Sequence, residues 1–395
     1  MKLSPQVLLV CSLLAADATA MPKSSSAMTK AAESYNSFGL KLLAQTRQAV
    51  PGKNVFLSPA GLAFALSMAA DGARGETLRQ MLATLQLPAG APDLDAANLA
   101  LLEHLSRLDP KIKLEIANSL WTARDAAIVP AFLDAGRKFY QAEVASVDFR
   151  NPATAQTINA WCSDHTHGKI PELVQPPLDA YRLLLLDAIY FKGDWTTPFD
   201  KKLTRDMPFT LGDGSVVTHP RMKRAGKFEY AEDETFQAVQ LPYAGEAVSM
   251  YVFLPKKGLD DFVRSLTLEN WKQWTGRLRS SRGALELPRF KLVNEYNLNP
   301  VLQALGMTAA FSRQADFRGM SGEPLYISIV KQKTYVDVNE EGTEAAAVTG
   351  IAMSAMAAHR EEPPFLMVVD HPFVLAIADR QSGALLFLGV IVDPR

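Results

Sequence analysis

The sequence predicts one large α+β domain. Two features of the chain point there. Helix-like apolar spacing dominates residues 31–108, whereas from Leu183 onward short apolar or alternating runs bounded by turn residues prevail. Helices gathered first and strands later, with no internal repeat and no interdomain linker, suit layers around a shared core rather than alternating βα units. At 395 residues the chain is long enough to bury such a core.

The N-terminus runs Lys2, an apolar stretch over 7–16, then Ala18-Thr19-Ala20, the charge, apolar and small-residue order of a secretory signal peptide. Cleavage is expected after Ala20. Residues 1–20 are therefore read as a signal peptide and 21–395 as a single domain, secreted or periplasmic, with 21–30 a mobile leader. The apolar run is shorter than the ~20 residues of a membrane span, and no later stretch is long enough either, so no membrane partner is expected.

Ser58-Pro59 is a helix start, because serine can cap and proline suits the first helical position; Leu62, Ala65, Leu66, Met68 and Ala69 then form an apolar stripe. A strand is predicted over 113–122, a helix over 129–140 and another over 151–165 ending near Gly168. The run 183–191 is apolar throughout except for Asp187, as a strand covered on both faces would be. Strand-like runs follow at 228–231, 237–241, 248–254 and 284–293, with helices near 259–266 and 298–305. Two last apolar runs, 373–379 and 384–392, flank Arg380-Gln381-Ser382-Gly383, a hairpin signal.

Composition excludes several functions. With 41 basic and 42 acidic residues the formal charge is -1, which carries no electrostatic footprint of a nucleic-acid binder. The grouping Arg277, Arg279, Arg282, Arg289 and Lys291 reads as solvated surface charge. Cys11 leaves with the signal peptide, so Cys162 stands alone and cannot form an internal disulfide; a buried small apolar role suits it better than a nucleophile's. No nucleophile elbow, phosphate loop, dinucleotide fingerprint or zinc motif occurs, so no enzyme and no cofactor are read. His165-Thr166-His167 lies at a helix end, where its two-residue spacing does not suit shared ligation, and no metal is assigned to it.

The least settled stretch is Glu340-Glu341-Gly342-Thr343-Glu344-Ala345-Ala346-Ala347-Val348-Thr349, with a small-residue run to Ala358. Alanine favours helix, Gly342 and Gly350 oppose it, and valine and threonine suit a strand. With a period of two, Thr343, Ala345, Ala347, Thr349, Ile351 and Met353 share an uncharged face that could slide between two strands, leaving Glu344 toward solvent. An exposed Ala-rich loop or an ordinary helix fits the same residues.

Several blocks together resemble one family, in order and at similar separations. They are Asn54-Val55-Phe56-Leu57-Ser58-Pro59, Ala117-Asn118-Ser119-Leu120-Trp121, Gly168-Lys169-Ile170, Ala188-Ile189-Tyr190-Phe191-Lys192-Gly193-Asp194-Trp195, Val338 to Ala347, and Asp370-His371-Pro372-Phe373. Over residues 31–395 the chain resembles a serpin of the inhibitory type. The resemblance implies three β-sheets, eight or nine helices and an exposed reactive centre loop over 342–364. It also implies a monomeric inhibitor of serine proteases: the target attacks the loop, forms an acyl-enzyme, and is trapped when the cleaved loop inserts as a new strand of the main sheet.

By the same resemblance, Glu340, Glu341, Gly342, Thr343, Glu344, Ala345, Ala346, Ala347 and Val348 form the hinge. The family's loop length puts the reactive bond at Met356-Ala357, which implies an elastase-, chymotrypsin- or subtilisin-like partner. A longer working loop makes Arg360 the bait and the target trypsin-like. Two alternatives share the fold: a non-inhibitory carrier or chaperone, and an inhibitor of cysteine proteases. The residues that control opening of the sheet fall on Ser58, Gly61, Asp187, Gln332 and Trp195. Here the chain departs from the family, with Asp187 in place of an asparagine, Gln332 in place of a histidine and Gly61 in place of a serine. Complementary donor and acceptor roles predict a hydrogen bond from the Gln332 amide to Asp187.

Overall fold

Helix formation begins where the apolar spacing begins. The structure, a computed structural model, describes residues 23–90, 93–343 and 363–395. The signal-peptide stretch, the later hinge residues Glu344, Ala345, Ala346, Ala347 and Val348, and the candidate reactive residues Met356, Ala357 and Arg360 lie outside the described residues. The expected mobile leader is corrected: helix α1 (Lys23–Ala49) takes in most of it. Met28, Ala31, Ala32 and Tyr35 recur at helical spacing and are all buried, which extends the helix toward the N-terminus.

Ser58 caps helix α2 (Pro59–Asp71), accepting from the Gly61 amide, and Pro59 to Ala70 are all buried. Helices α3 (Gly75–Thr84), α4 (Leu94–Leu105), α5 (Pro130–Tyr140) and α6 (Ala153–His165) follow, and α7 (Leu259–Ser265), α8 (Leu268–Thr275) and α9 (Asn299–Ala304) come later, nine among the described residues. None of them is long and apolar enough to cross a membrane.

The strands in chain order are β1 (Val55–Leu57), β2 (Ile112–Ala123), β3 (Glu143–Val147), β4 (Leu183–Asp194), β5 (Arg205–Thr210), β6 (Val216–Glu232), β7 (Phe236–Pro242) and β8 (Val248–Pro255). They continue as β9 (Arg279–Pro288), β10 (Phe290–Asn297), β11 (Ile329–Val338), β12 (Gly342–Thr343), β13 (Phe365–Val368), β14 (Phe373–Asp379) and β15 (Leu385–Ile391). One sheet has the order β10-β11-β12-β4-β2-β3. A second hydrogen-bonded path runs β1-β15-β14-β8-β7-β6-β9-β13, with β5 beside β6. The expected three sheets correspond to the six-stranded sheet and two limbs of this path, joined because the long β6 pairs first with β5, then with β9, and at its end with β7.

Strand β4 shows why its sequence is apolar throughout. Leu183, Leu185, Ile189 and Phe191 enter the main core with α1 and α2, while Leu184, Leu186, Ala188 and Tyr190 enter a second core with Ile158 and Cys162 of α6. Strict alternation serves two buried faces. Each fully buried leucine there contributes roughly 2 kcal/mol relative to exposure.

The hairpin joining β14 to β15 closes as its turn residues predict. Gly383 takes φ +73°, and Asp379 accepts from the Ser382 amide at 2.7 Å.

Candidate functional site

Two strands in the centre of the six-stranded sheet are both joined and parted. From Leu184 to Tyr190, β4 pairs directly and in parallel with Ile329 to Tyr335 of β11. Beyond that seam the chain turns back from β11 and slips between them: Val338 pairs with Thr343, while Gly342 and Thr343 pair with Asp194 and Gly193. The start of the Ala-rich segment is thus already a strand of two residues. Gly342 is required by space, since a Cβ there would lie 2.2 Å from the Gly193 carbonyl oxygen and 2.6 Å from Asp194 Cα.

Aromatic packing holds this entry. Thr343 is fully buried, and its hydroxyl is 2.8 Å from that of Tyr243. The Tyr243 ring stacks on Trp195 at 4.5 Å between centroids, and Trp195 donates from its indole nitrogen to the Asn339 carbonyl at 3.0 Å and from its backbone to the Glu341 carbonyl at 2.8 Å. Glu340 is buried; its carboxylate accepts from Thr204 at 2.7 Å and lies 3.7 Å from Arg289. Glu341 pairs with Lys201 nearer the surface. Arg289, one of the cations read as solvated surface charge, therefore faces the hinge.

A second cluster sits on the seam. Gln332 lies opposite Asp187 in the β4–β11 register and donates to Asp187 Oδ2 at 2.5 Å, the bond expected from donor and acceptor complementarity. The same amide donates to the Ser58 carbonyl at 2.8 Å and accepts from the Ser58 amide at 2.9 Å. Ser58 also donates from its hydroxyl to the Leu386 carbonyl at 2.6 Å. At Gly61 a side chain would have no room, its Cβ falling 2.1 Å from Ile189 Cδ1 and 2.7 Å from Asp187 Oδ1. Burial pushes the Asp187 carboxyl up to about 8, against the lowering effect of the Gln332 bond.

The structure therefore assembles Ser58, Gly61, Asp187 and Gln332 in one cluster, and Trp195, Glu340, Glu341, Gly342 and Thr343 in the other. Sequence reasoning missed Tyr243 and Asn118. Nothing local to Tyr243, a hundred residues from Thr343, signals that contact, whereas Asn118 stood inside a quoted motif without a role. The remaining candidates go elsewhere. Cys162 is buried, and His165 bonds the Trp161 carbonyl at 2.8 Å while His167 lies 3.5 Å from Glu115.

Chemically, the arrangement is a slot for a strand. An entering chain must break the seven register pairs between β4 and β11, together with the Gln332–Asp187 bond, and finds backbone partners on both sides.

Comparison with known proteins bears on what uses such a slot. The family model described as Serpin (serine protease inhibitor) matches residues 33–394. The chain is 38% identical over 373 residues to the leukocyte elastase inhibitor of Bos taurus, covering 90% of this chain and 97% of that protein. Among solved structures, a thermophilic serpin, Tengpin, in its native state superposes with a TM-score of 0.85 at 28% identity, covering 92% of this chain and 94% of that one. Human thyroxine-binding globulin complexed with thyroxine superposes with a TM-score of 0.85 at 26% identity, covering 93% and 99% respectively.

Proposed function

Because the chain belongs to the serpin family, described as serine protease inhibitors, and resembles a relative named as an elastase inhibitor, we propose that it is an exported suicide substrate of serine proteases. The observation that carries the proposal is β12, two residues of the hinge already lodged between β4 and β11 at the upper end of a sealed seam. A strand started in this way needs only a free end to continue, and cleavage of the loop supplies one.

In the proposed sequence the protease serine attacks the Met356 carbonyl, Ala357 leaves as a free amine, and the protease stays esterified to Met356. The segment from Gly342 to Met356 then advances behind Thr343 into the seam. At about 3.3 Å per residue it forms a strand on the order of 50 Å long. Roughly fifteen backbone hydrogen bonds at about 1 kcal/mol net each, with burial of Ile351 and Met353, favour insertion by on the order of 10 kcal/mol. The uncleaved molecule persists because the seam imposes a kinetic barrier. Small side chains at Ala345 and Ala347 keep entry fast enough to outrun deacylation.

Met356 suits an apolar or small primary pocket. The relative named for leukocyte elastase supports an elastase-like target, and Arg360 would direct a longer loop to a trypsin-like one. The signal-peptide pattern at 1–20 supports secretion or export to the periplasm. Incubation with elastase, chymotrypsin, subtilisin, trypsin and papain tests the reading. An SDS-stable complex with a serine protease is expected, with the released C-terminal peptide beginning at Ala357 by mass spectrometry. Cleavage of the loop with neither a complex nor a gain in thermal stability would overturn it.

A further inference from the structure

Asp187 is an acid where every local hydrogen bond can be accounted for, and the account lacks one donor. The Gln332 amide has a single orientation, because its Oε1 accepts from the Ser58 amide while its nitrogen donates to the Ser58 carbonyl and to Asp187 Oδ2. Asn118 is fixed similarly: its Nδ2 donates to the Gly61 carbonyl at 3.2 Å, which leaves its Oδ1 without a donor. Asp187 Oδ1 is also buried without a partner. Asn118 and Asp187 are direct cross-strand partners in the β2–β4 register and share the face toward α2. Gly61 offers no hydroxyl between them.

Two buried acceptors without a donor, on cross-strand partners of one sheet face, are costly, and a single proton placed between them would satisfy both. We infer that Asp187 is a proton-operated latch: in the closed sheet its carboxyl is neutral and donates from Oδ1 to Asn118 Oδ1, and its ionisation loosens the seam between β4 and β11.

The surroundings agree. Gly61 faces the carboxyl from α2, Asn118 is its cross-strand partner on β2, and Gln332, itself held by Ser58, bonds it from β11; none of these is charged. Through the sheet lies the Cys162 thiol of α6, pushed up to about 12 by burial, with Lys333 lowering it and Asp187 raising it. Lys333 itself is engaged by Glu295 at 3.0 Å and by the Glu172 carbonyl. With no cation among the described residues to hold a carboxylate, burial dominates and raises the carboxyl to about 8.

Admitting a strand between β4 and β11 must break the Gln332–Asp187 bond and brings water to the carboxyl. The closed form therefore keeps its proton to higher pH than the opening form. Raising the pH from the ordinary carboxyl value near 4 through about 8 favours opening, and below 4, where both forms are protonated, the effect vanishes.

This latch rests on the reading that a strand enters between β4 and β11, but its test needs no protease. The intact full-length protein is held at a fixed elevated temperature, and loss of native monomer is followed on native gels from pH 5.5 to 8.0. The limiting slope is about tenfold per pH unit, and an acceleration of at least about tenfold over the range is expected in the wild type. Asp187→Asn mimics the neutral acid, its amide able to donate to Asn118 and accept from Gln332, and should be flat within about twofold. Asp71, whose carboxyl burial and the neighbouring Asp95 also raise to about 8, is the control: Asp71→Asn should keep the slope.

Infrared difference spectra of the Asp71→Asn protein supply a second measurement that does not depend on the Asp187 variant. They should show a buried protonated carboxyl at pH 6 that converts to carboxylate by pH 10. No slope in the wild type, an undiminished slope in Asp187→Asn, or no protonated band would each overturn the latch. Absence of SDS-stable protease complexes alongside a normal slope would instead count against the proposed inhibition alone.

Discussion

The two ends of the β4–β11 seam are held by opposite chemistry. At the hinge end, β12 is held by backbone pairing, by a neutral hydroxyl contact between Thr343 and Tyr243, and by aromatic stacking, with the charges of Glu340 and Glu341 answered by Arg289 and Lys201. In the middle, a buried acid with no cation is held by one side-chain amide. The hinge end is satisfied with a strand in place, whereas the middle is satisfied only while the strands touch. On the proposed mechanism, the difference teaches where the barrier to insertion would lie: β12 already occupies the entry, and a longer strand would have to break the seam.

The most severe way to break this comparison is to put a charge into the entry. Thr343→Arg would bury a guanidinium where the side chain is fully enclosed, at a cost of several kcal/mol, so β12 should leave the slot and entry would have to be made against that cost, each ~1.4 kcal/mol of which slows insertion tenfold. The stoichiometry of inhibition should rise at least about tenfold while loop cleavage continues. Unchanged complex yield on SDS gels would mean that Thr343 does not lead the insertion.

Asp187→Ala attacks the middle instead. It removes the acceptor of the Gln332 amide and leaves a small void, for about 1–3 kcal/mol. A lower unfolding temperature and faster polymerisation are expected. If neither changes, the bond does not hold the seam.

Tyr243→Phe takes only the hydroxyl from the entry and leaves the ring stacked on Trp195. About 1 kcal/mol is at stake. Hydrogen exchange at the amides of Val338 and Thr343 should rise roughly fivefold without a comparable rise at Gln332. Equal increases at both places would mean that the two ends open as one unit.

The smallest effect contrasts Asp187 with Asp379, an equally buried aspartate that does have partners. Asp379 accepts from Ser382 and lies 2.8 Å from His104, and these bonds hold its carboxyl below the usual range even though burial opposes them. The Asp379 bond raises the His104 pKa, against burial. The pair's contribution through His104 is complete below the ordinary histidine value near 6.5 and is lost as the pH rises through the raised folded value. Through Asp379 it is present above the ordinary carboxyl value and lost as the pH falls through the depressed one. His104→Gln should cost about 1 kcal/mol near pH 6, seen as a lower Tm, with the gap from wild type closing under alkaline conditions. A gap that widens with pH would reverse this assignment.

Much of the seam was legible before any coordinates. The apolar run of β4 with its lone acid and the Ser58-Pro59 start of α2 follow from periodicity and capping, which are properties of neighbours in sequence, whereas the Gln332–Asp187 pairing followed from donor–acceptor complementarity only after the family resemblance had put both residues in one cluster. The start of α1 was misread because small polar residues around Met28 hid an apolar spacing that only packing makes effective. Arg289 was read as solvated because its partner Glu340 lies on a different strand connection.

By itself the sequence determined the alternation that gives β4 two buried faces, and the uncharged period-two face that starts at Thr343. These are consequences of a strand's two-residue period. Only the tertiary structure decided that Tyr243 meets Thr343, that Gly342 has no room for a side chain, and that Asp187 and Asn118 are cross-strand partners, each with a buried oxygen that lacks a donor. An ionisation state depends on what surrounds a group in space, and the chain brings those surroundings to Asp187 from three separate segments.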